Sequence, residues 1–214
     1  MLAMAGERGA DRVTTRALAD RLGVTEPVLY RHFPGGKTEM WRALATHVGE
    51  HMQAAWGQAV AEAEDGAVNR LRALVRAQLR TIAAIPALPG ILFSRTLHRD
   101  NAALRAAIGE LVGGLHGRIT QIIAQGCADG DLPRDLEPDA AAWLLVSVVQ
   151  GTAIRWSLSE HAFDLEREGL RVLNAALGPM QRGSQVCATG GPAGEQQPDA
   201  GGPRSLATNQ EEGR

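Results

Sequence analysis

Apolar positions recur along this 214-residue chain at steps of three and four, and Gly and Pro interrupt them at intervals, which predicts helices joined by short turns. Met1 to Arg8 predicts a short first helix closed at Gly9. Thr14 is an N-cap residue followed by an apolar face of Leu18, Ala19 and Leu22. Gly23 supplies the left-handed turn, Thr25 caps the next helix, and Pro27 falls in its first turn, where no intrahelical donor is lost. Leu29 and Phe33 then point back to the preceding helix, which leaves Glu26, Pro27, Val28, Tyr30, Arg31 and His32 facing outward or sideways. Two short helices crossing at a glycine turn, with the second projecting, have the layout of a helix-turn-helix.

Further on, Trp41, Leu44, Val48, Met52 and Trp56 form one stripe on a long helix predicted from Thr38 to about Asp65. Ala67 to Ala84 carries Leu71, Leu74, Val75, Leu79 and Ile82 inward. Pro89 starts a short helix, Gly90 to about Leu97, and Asn101 to Ala128 forms a long one ended by Gly126, Gly130 and Pro133. Pro138 opens a helix to Trp156 that is apolar nearly all round, and such a helix must be covered on every side. A last helix runs from about Leu165 to Leu177. Two helices from each of two chains would close a four-helix interface with two-fold symmetry, for which Trp143, Val146, Gln150, Ile154, Leu170 and Leu173 are the candidates. Residues 181–214 hold seven glycines, three prolines and little apolar content, so they are expected to form a disordered tail.

Composition sharpens this picture in four ways. Aromatic residues make up only 4%, which disfavours a large antiparallel sheet and favours an all-α protein. Net charge is −2, which excludes a basic nucleic-acid coat but not a local positive surface. Residues 1–50 carry seven basic and six acidic groups, so such a reader would depend on dimerisation for affinity. Lys37 is the only lysine among 22 basic residues, and it stands at the start of a helix, where an anion is favoured.

No secretory leader and no apolar run of the roughly 18 residues needed to span a membrane is evident. Cys127 and Cys187 have no disulfide or zinc spacing, which suits a reducing cytoplasm. His47 and His51 lie one turn apart without a third ligand, so solvated side chains are preferred to a metal site. No HExxH, Gly-x-Ser-x-Gly or phosphate loop is present; no catalytic set, cofactor or metal is expected.

The run Gly23-Val24-Thr25-Glu26-Pro27-Val28-Leu29-Tyr30-Arg31-His32-Phe33-Pro34-Gly35-Gly36-Lys37 resembles the signature of the TetR family of bacterial transcriptional regulators. The resemblance implies a three-helix DNA-binding domain at 1–45, a larger helical ligand-binding and dimerisation domain at 46–180, and a homodimer on a palindromic double-stranded operator. It further implies repression relieved by a small-molecule effector. By that resemblance Thr14, Thr25, Tyr30, His32 and Lys37 contact phosphates, while Glu26, Pro27, Val28 and Arg31 read bases. Arg31 suits the O6 and N7 of guanine, and Val28 suits a thymine methyl.

Arg95, His98, Arg99 and His116 are candidates to line an effector cavity, with a solvated surface as the plainer alternative. Trp143, Gln150 and Trp156 are candidates to face that cavity, with core or interface packing as the alternative for the tryptophans. An all-helical small-molecule-binding protein, or a dimeric scaffold with a degenerate reader, stays open beside the regulator.

Overall fold

Side-chain caps set the starts of four helices. The Thr14 hydroxyl accepts from the Ala17 amide, Ser94 Oγ from Leu97, Asn101 Oδ1 from Leu104, and the Glu137 carboxylate from Asp139 and Ala140. Each satisfies first-turn donors that have no partner within the helix. The computed structural model describes residues 1–186, and within them the chain is all helical. The elements are α1 (Leu2–Arg8), α2 (Thr15–Leu22), α3 (Glu26–His32), α4 (Gly36–Ala61), α5 (Ala67–Ala84), α6 (Leu88–Leu92), α7 (Arg95–Asp100), α8 (Ala102–Asp129), α9 (Pro138–Leu158) and α10 (Leu165–Val186), with a 3-10 turn at Ala10–Arg12. No described helix is long and apolar enough to cross a membrane.

The buried side chains form two clusters. One gathers Met4, Val13, Leu18, Leu29, Met40 and Trp41 around the three N-terminal helices. It also takes in Ala87, Ile91, Leu97 and Leu104 from α6 to α8, so the N-terminal bundle is seated on the start of the C-terminal one. The larger cluster packs α4, α5, α8, α9 and α10 through Met52, Trp56, Leu74, Ile119, Leu145 and Leu173. α4 and α8 each belong to both, α4 through Trp41 and Met52 and α8 through Leu104 and Ile119, and α4 is the one that follows directly on α3. Inside the larger cluster the Trp56 indole N–H donates to Gln78 Oε1 at 2.8 Å, which pins α4 to α5 with a satisfied buried polar pair.

Several expectations are corrected. Leu22 is 63% exposed and lies outside the N-terminal core. The single helix expected from Gly90 to Leu97 is two, because the Ser94 hydroxyl caps a new helix and breaks the run. Gly126 does not end α8. It lies within the helix, where a Cβ would come 2.4 Å from Ala67 Cβ, so it permits close approach to α5. The helix ends at Gly130, φ 85°, in the left-handed conformation. α10 continues through Pro179 to Val186, so the expected tail cannot begin at 181; Pro179 withholds its own donor and crowds the carbonyl one turn back, and the helix runs on past it. Residues 187–214, with Cys187, lie outside the described residues.

Candidate nucleic-acid interface

The turn between α2 and α3 is made by Gly23, φ 67°, ψ 29°, which closes α2 while the Val24 amide reaches back to the Ala19 carbonyl at 3.0 Å. Thr25 then takes up an extended conformation and occupies the cap position of α3. Its carbonyl accepts from Val28, but its hydroxyl makes no capping bond, contrary to expectation. The free hydroxyl stays exposed at the positive end of the helix.

A contact that sequence reasoning missed holds the two helix starts together. Thr15 Oγ1 donates to Glu26 Oε2 at 2.9 Å, so the acid at the head of α3 is half-buried and engaged within the protein. The one signal for it was a hydroxyl directly after an N-cap. Glu7 and Arg21 form a bidentate pair, 2.7 and 2.8 Å, that ties α1 to α2, and the guanidinium holds the Glu7 carboxyl below its usual range.

On the outer surface, Thr14, Pro27, Tyr30, Arg31 and His32 are exposed and Val28 is half-buried. Tyr30 is 46% exposed although it is aromatic. Its ring leans on the start of α4: a Cβ on Gly36, φ 61°, would stand 3.2 Å from Tyr30 Cε1. The Gly35 amide donates to Glu39 Oε2 at 2.8 Å, closing the first turn of α4 from inside. Tyr30 and the neighbour of Gly36, half-buried Lys37, therefore meet where α3 ends and α4 begins. A cation at the positive end of a helix is not favoured by the protein's own field, but it suits a shared anion.

The proposed effector and interface positions scatter. Arg95 is exposed on α7. His98 Nε2 lies 2.8 Å from the Leu92 carbonyl, and its Nδ1 has no partner among the described residues. His116 stacks on Trp143 with centroids 4.1 Å apart and faces Asp139 Oδ1 at 3.3 Å. His98 and Trp143 edge a shallow groove with Arg105 and Val112, but of the residues proposed for the effector only Gln150 lines the main apolar cavity. Arg99 is exposed.

Val146 and Leu173, proposed for an interface, are corrected: they are 1% and 0% exposed in the single chain and fill its own core. An all-apolar helix leaves open which stripe faces inward, and here the inner stripe includes Val146. Trp143, 46% exposed, and the half-buried Ile154, Gln150 and Leu170 remain accessible; exposed Leu144 and Leu158 join them on α9.

The apolar cavity lies beneath this surface, between α1, α4, α5, α6, α8 and α9. It offers about 90 Å³ to the centres of water-sized molecules, several times what one water occupies, which is roughly 10–15 Å³. Leu2, Trp41, Leu44 and Val48 line it from the N-terminal side, and Ile108, Leu111, Val149 and Gln150 from the other. Trp41, 1% exposed, keeps a buried indole N–H without an acceptor among the described residues.

Comparison with known proteins places both halves of the chain. Residues 2–44 match the family model for bacterial regulatory proteins, tetR family, and residues 47–176 that of the YsiA-like protein, C-terminal region. The chain is similar to nucleoid occlusion factor SlmA of Vibrio cholerae, with 28% identity over 155 residues that cover 72% of this chain and 78% of that one. Its fold is similar to that of the fatty acid degradation regulator FadR from Bacillus halodurans, with a TM-score of 0.71 at 19% identity, covering 83% of this chain and 94% of that one. FadR from Bacillus subtilis, solved with stearoyl-CoA, gives 0.69 at 19% identity, covering 85% and 94%. The ketosteroid regulator KstR2 of Mycobacterium tuberculosis gives 0.64 at 21% identity, covering 84% and 90%. At these identities the solved structures speak for the fold alone.

Proposed function

The chain belongs to the TetR family of bacterial regulatory proteins, and from that premise we propose that it is a homodimeric repressor released from a palindromic operator by a small molecule. DNA binding and transcriptional regulation come with the family; the repressing sign, the dimer and the effector are proposals for this chain. In this reading Arg31, Pro27 and Val28 meet base edges in the major groove. Thr14, Thr25, Tyr30, His32 and Lys37 hold phosphates. Glu26 serves as an internal strut for Thr15 and does not read a base.

The observation that carries the effector is the cavity. Its wall includes Trp41, Leu44 and Val48 of α4, the helix whose first turn bears Lys37. A molecule that fits the cavity better in one tilt of α4 than in another shifts the population of that tilt, and with it the spacing of two readers. One solved relative, FadR from Bacillus subtilis, was captured with stearoyl-CoA, whose long acyl chain is the kind of apolar group this cavity would take. The accessible Trp143, Leu144, Ile154 and Leu158 on α9, with Leu170 on α10, supply the face for a second copy.

The likeness to a nucleoid occlusion factor favours a second reading, a role in nucleoid occlusion in place of the repression of particular genes. A genome-wide footprint tests both. Repression predicts occupancy confined to a few palindromes beside genes that are derepressed on deletion; occupancy spread over many sites without change in transcription overturns it.

A further inference from the structure

We propose that the cavity selects an uncharged, largely apolar molecule with one accessible carbonyl or ether oxygen, and that the Trp41 indole N–H is the donor that recognises this oxygen. The proposal rests on the effector reading above and names the chemistry of its ligand.

Three observations carry it. No residue lining the cavity is ionisable, so a carboxylate or ammonium group held there would lose its water without a counter-charge. Only three lining side chains can donate a hydrogen bond, those of Trp41, Gln78 and Gln150. Gln78 already spends its oxygen on Trp56, which leaves its amide hydrogens as donors. Trp41 is buried beside the cavity, and its indole N–H, closed off from the cavity's open space, has no acceptor among the described residues, so a ligand oxygen reaches it only as the indole shifts. An unpartnered buried donor is costly, and in a native fold it calls for a partner. Donors without counter-charges match a neutral acceptor.

Trp41 also explains how such a molecule would be felt by the reader. The same indole packs in the N-terminal cluster with Met4, Leu29 and Met40, and Leu29 belongs to α3. A ligand that draws Trp41 toward the cavity therefore acts on the cluster into which the recognition helix packs Leu29.

The test uses the full chain without DNA, so that a failure here leaves the operator footprint to judge repression independently. Methyl laurate, tridecane and laurate anion, delivered from cyclodextrin, are titrated by calorimetry; a methylene chain is flexible enough to follow an irregular cavity. The ester is expected to bind about tenfold tighter than the hydrocarbon, the order of one satisfied buried hydrogen bond, and the anion still more weakly than the ester. In Trp41→Phe the ester should lose its advantage while tridecane affinity stays similar. If that variant does not fold, the indole ¹⁵N–H resonance of Trp41 in the wild type gives the same answer, moving downfield with methyl laurate and not with tridecane. Laurate binding as tightly as its ester, an ester preference that survives Trp41→Phe, an unmoved indole resonance, or no binding of any probe would overturn the proposal.

Discussion

The Asn101 carboxamide, capping α8, donates to the Thr38 carbonyl in the first turn of α4 at 3.3 Å, one residue from Lys37. Asn101 is buried, and its oxygen accepts from Leu104, so one side chain serves both helix starts. Asn101→Ala should cost about 1–2 kcal/mol, the usual order for a lost cap. Asn101→Asp keeps the acceptor and removes the donor to Thr38. Chemical denaturation should show it nearer to wild type than the alanine variant, while ligand-driven release from DNA changes.

Arg31→Ala is expected to weaken binding to the specific site by about 1–3 kcal/mol and to flatten preference at the bases it reads. Lys37→Ala should act differently. It should weaken specific and non-specific DNA alike and lower the slope of log affinity against log salt by about 1. Fluorescence anisotropy at several salt concentrations separates the two.

Gly126→Ala places a methyl 2.4 Å from Ala67 Cβ and 3.1 Å from Leu132 Cδ1, and Ala67 cannot swing aside because its Cβ is fixed to the backbone. Overpacking of this kind should destabilise by about 1–3 kcal/mol, read as a lower denaturation midpoint at unchanged slope. Adding Ala67→Gly should restore part of the loss.

Glu168 is gripped by Arg171 and Arg155, and these hydrogen bonds hold its carboxyl down to about 2. A carboxyl lowered in the folded state stabilises above its ordinary value of 4.5 and loses that contribution as pH falls toward 2. Glu168→Gln should therefore melt below wild type near neutral pH, and the gap should close across that acid window. Being at the surface, the difference should also shrink in high salt.

The helices and the reader were legible in the sequence because their signals are local. Thr14 and Gly23 mark the ends of α2 by hydrogen-bonding chemistry that needs no tertiary partner, and the stripe from Trp41 to Trp56 follows the helical period. What escaped depends on distant parts of the chain. Gly126 reads as a helix end until Ala67 is found against it. Val146 and Leu173 read as interface because an apolar side chain records that it is covered, not by which chain. The cavity eluded a search for charged lining residues such as Arg95 and His116; its walls are apolar, and its polar groups, Trp41, Gln78 and Gln150, sit on three separate helices.

The most direct measurement of the central claim is the binding of wild-type and Arg31→Ala protein to labelled fragments from beside the protein's own gene, against scrambled DNA of equal length, over a range of salt. A salt-sensitive complex of two protomers on a palindrome in one such fragment is predicted, much tighter than on scrambled DNA and weakened by about 1–3 kcal/mol in Arg31→Ala. Equal affinity for native and scrambled fragments, or a specific complex that Arg31→Ala leaves intact, would contradict it.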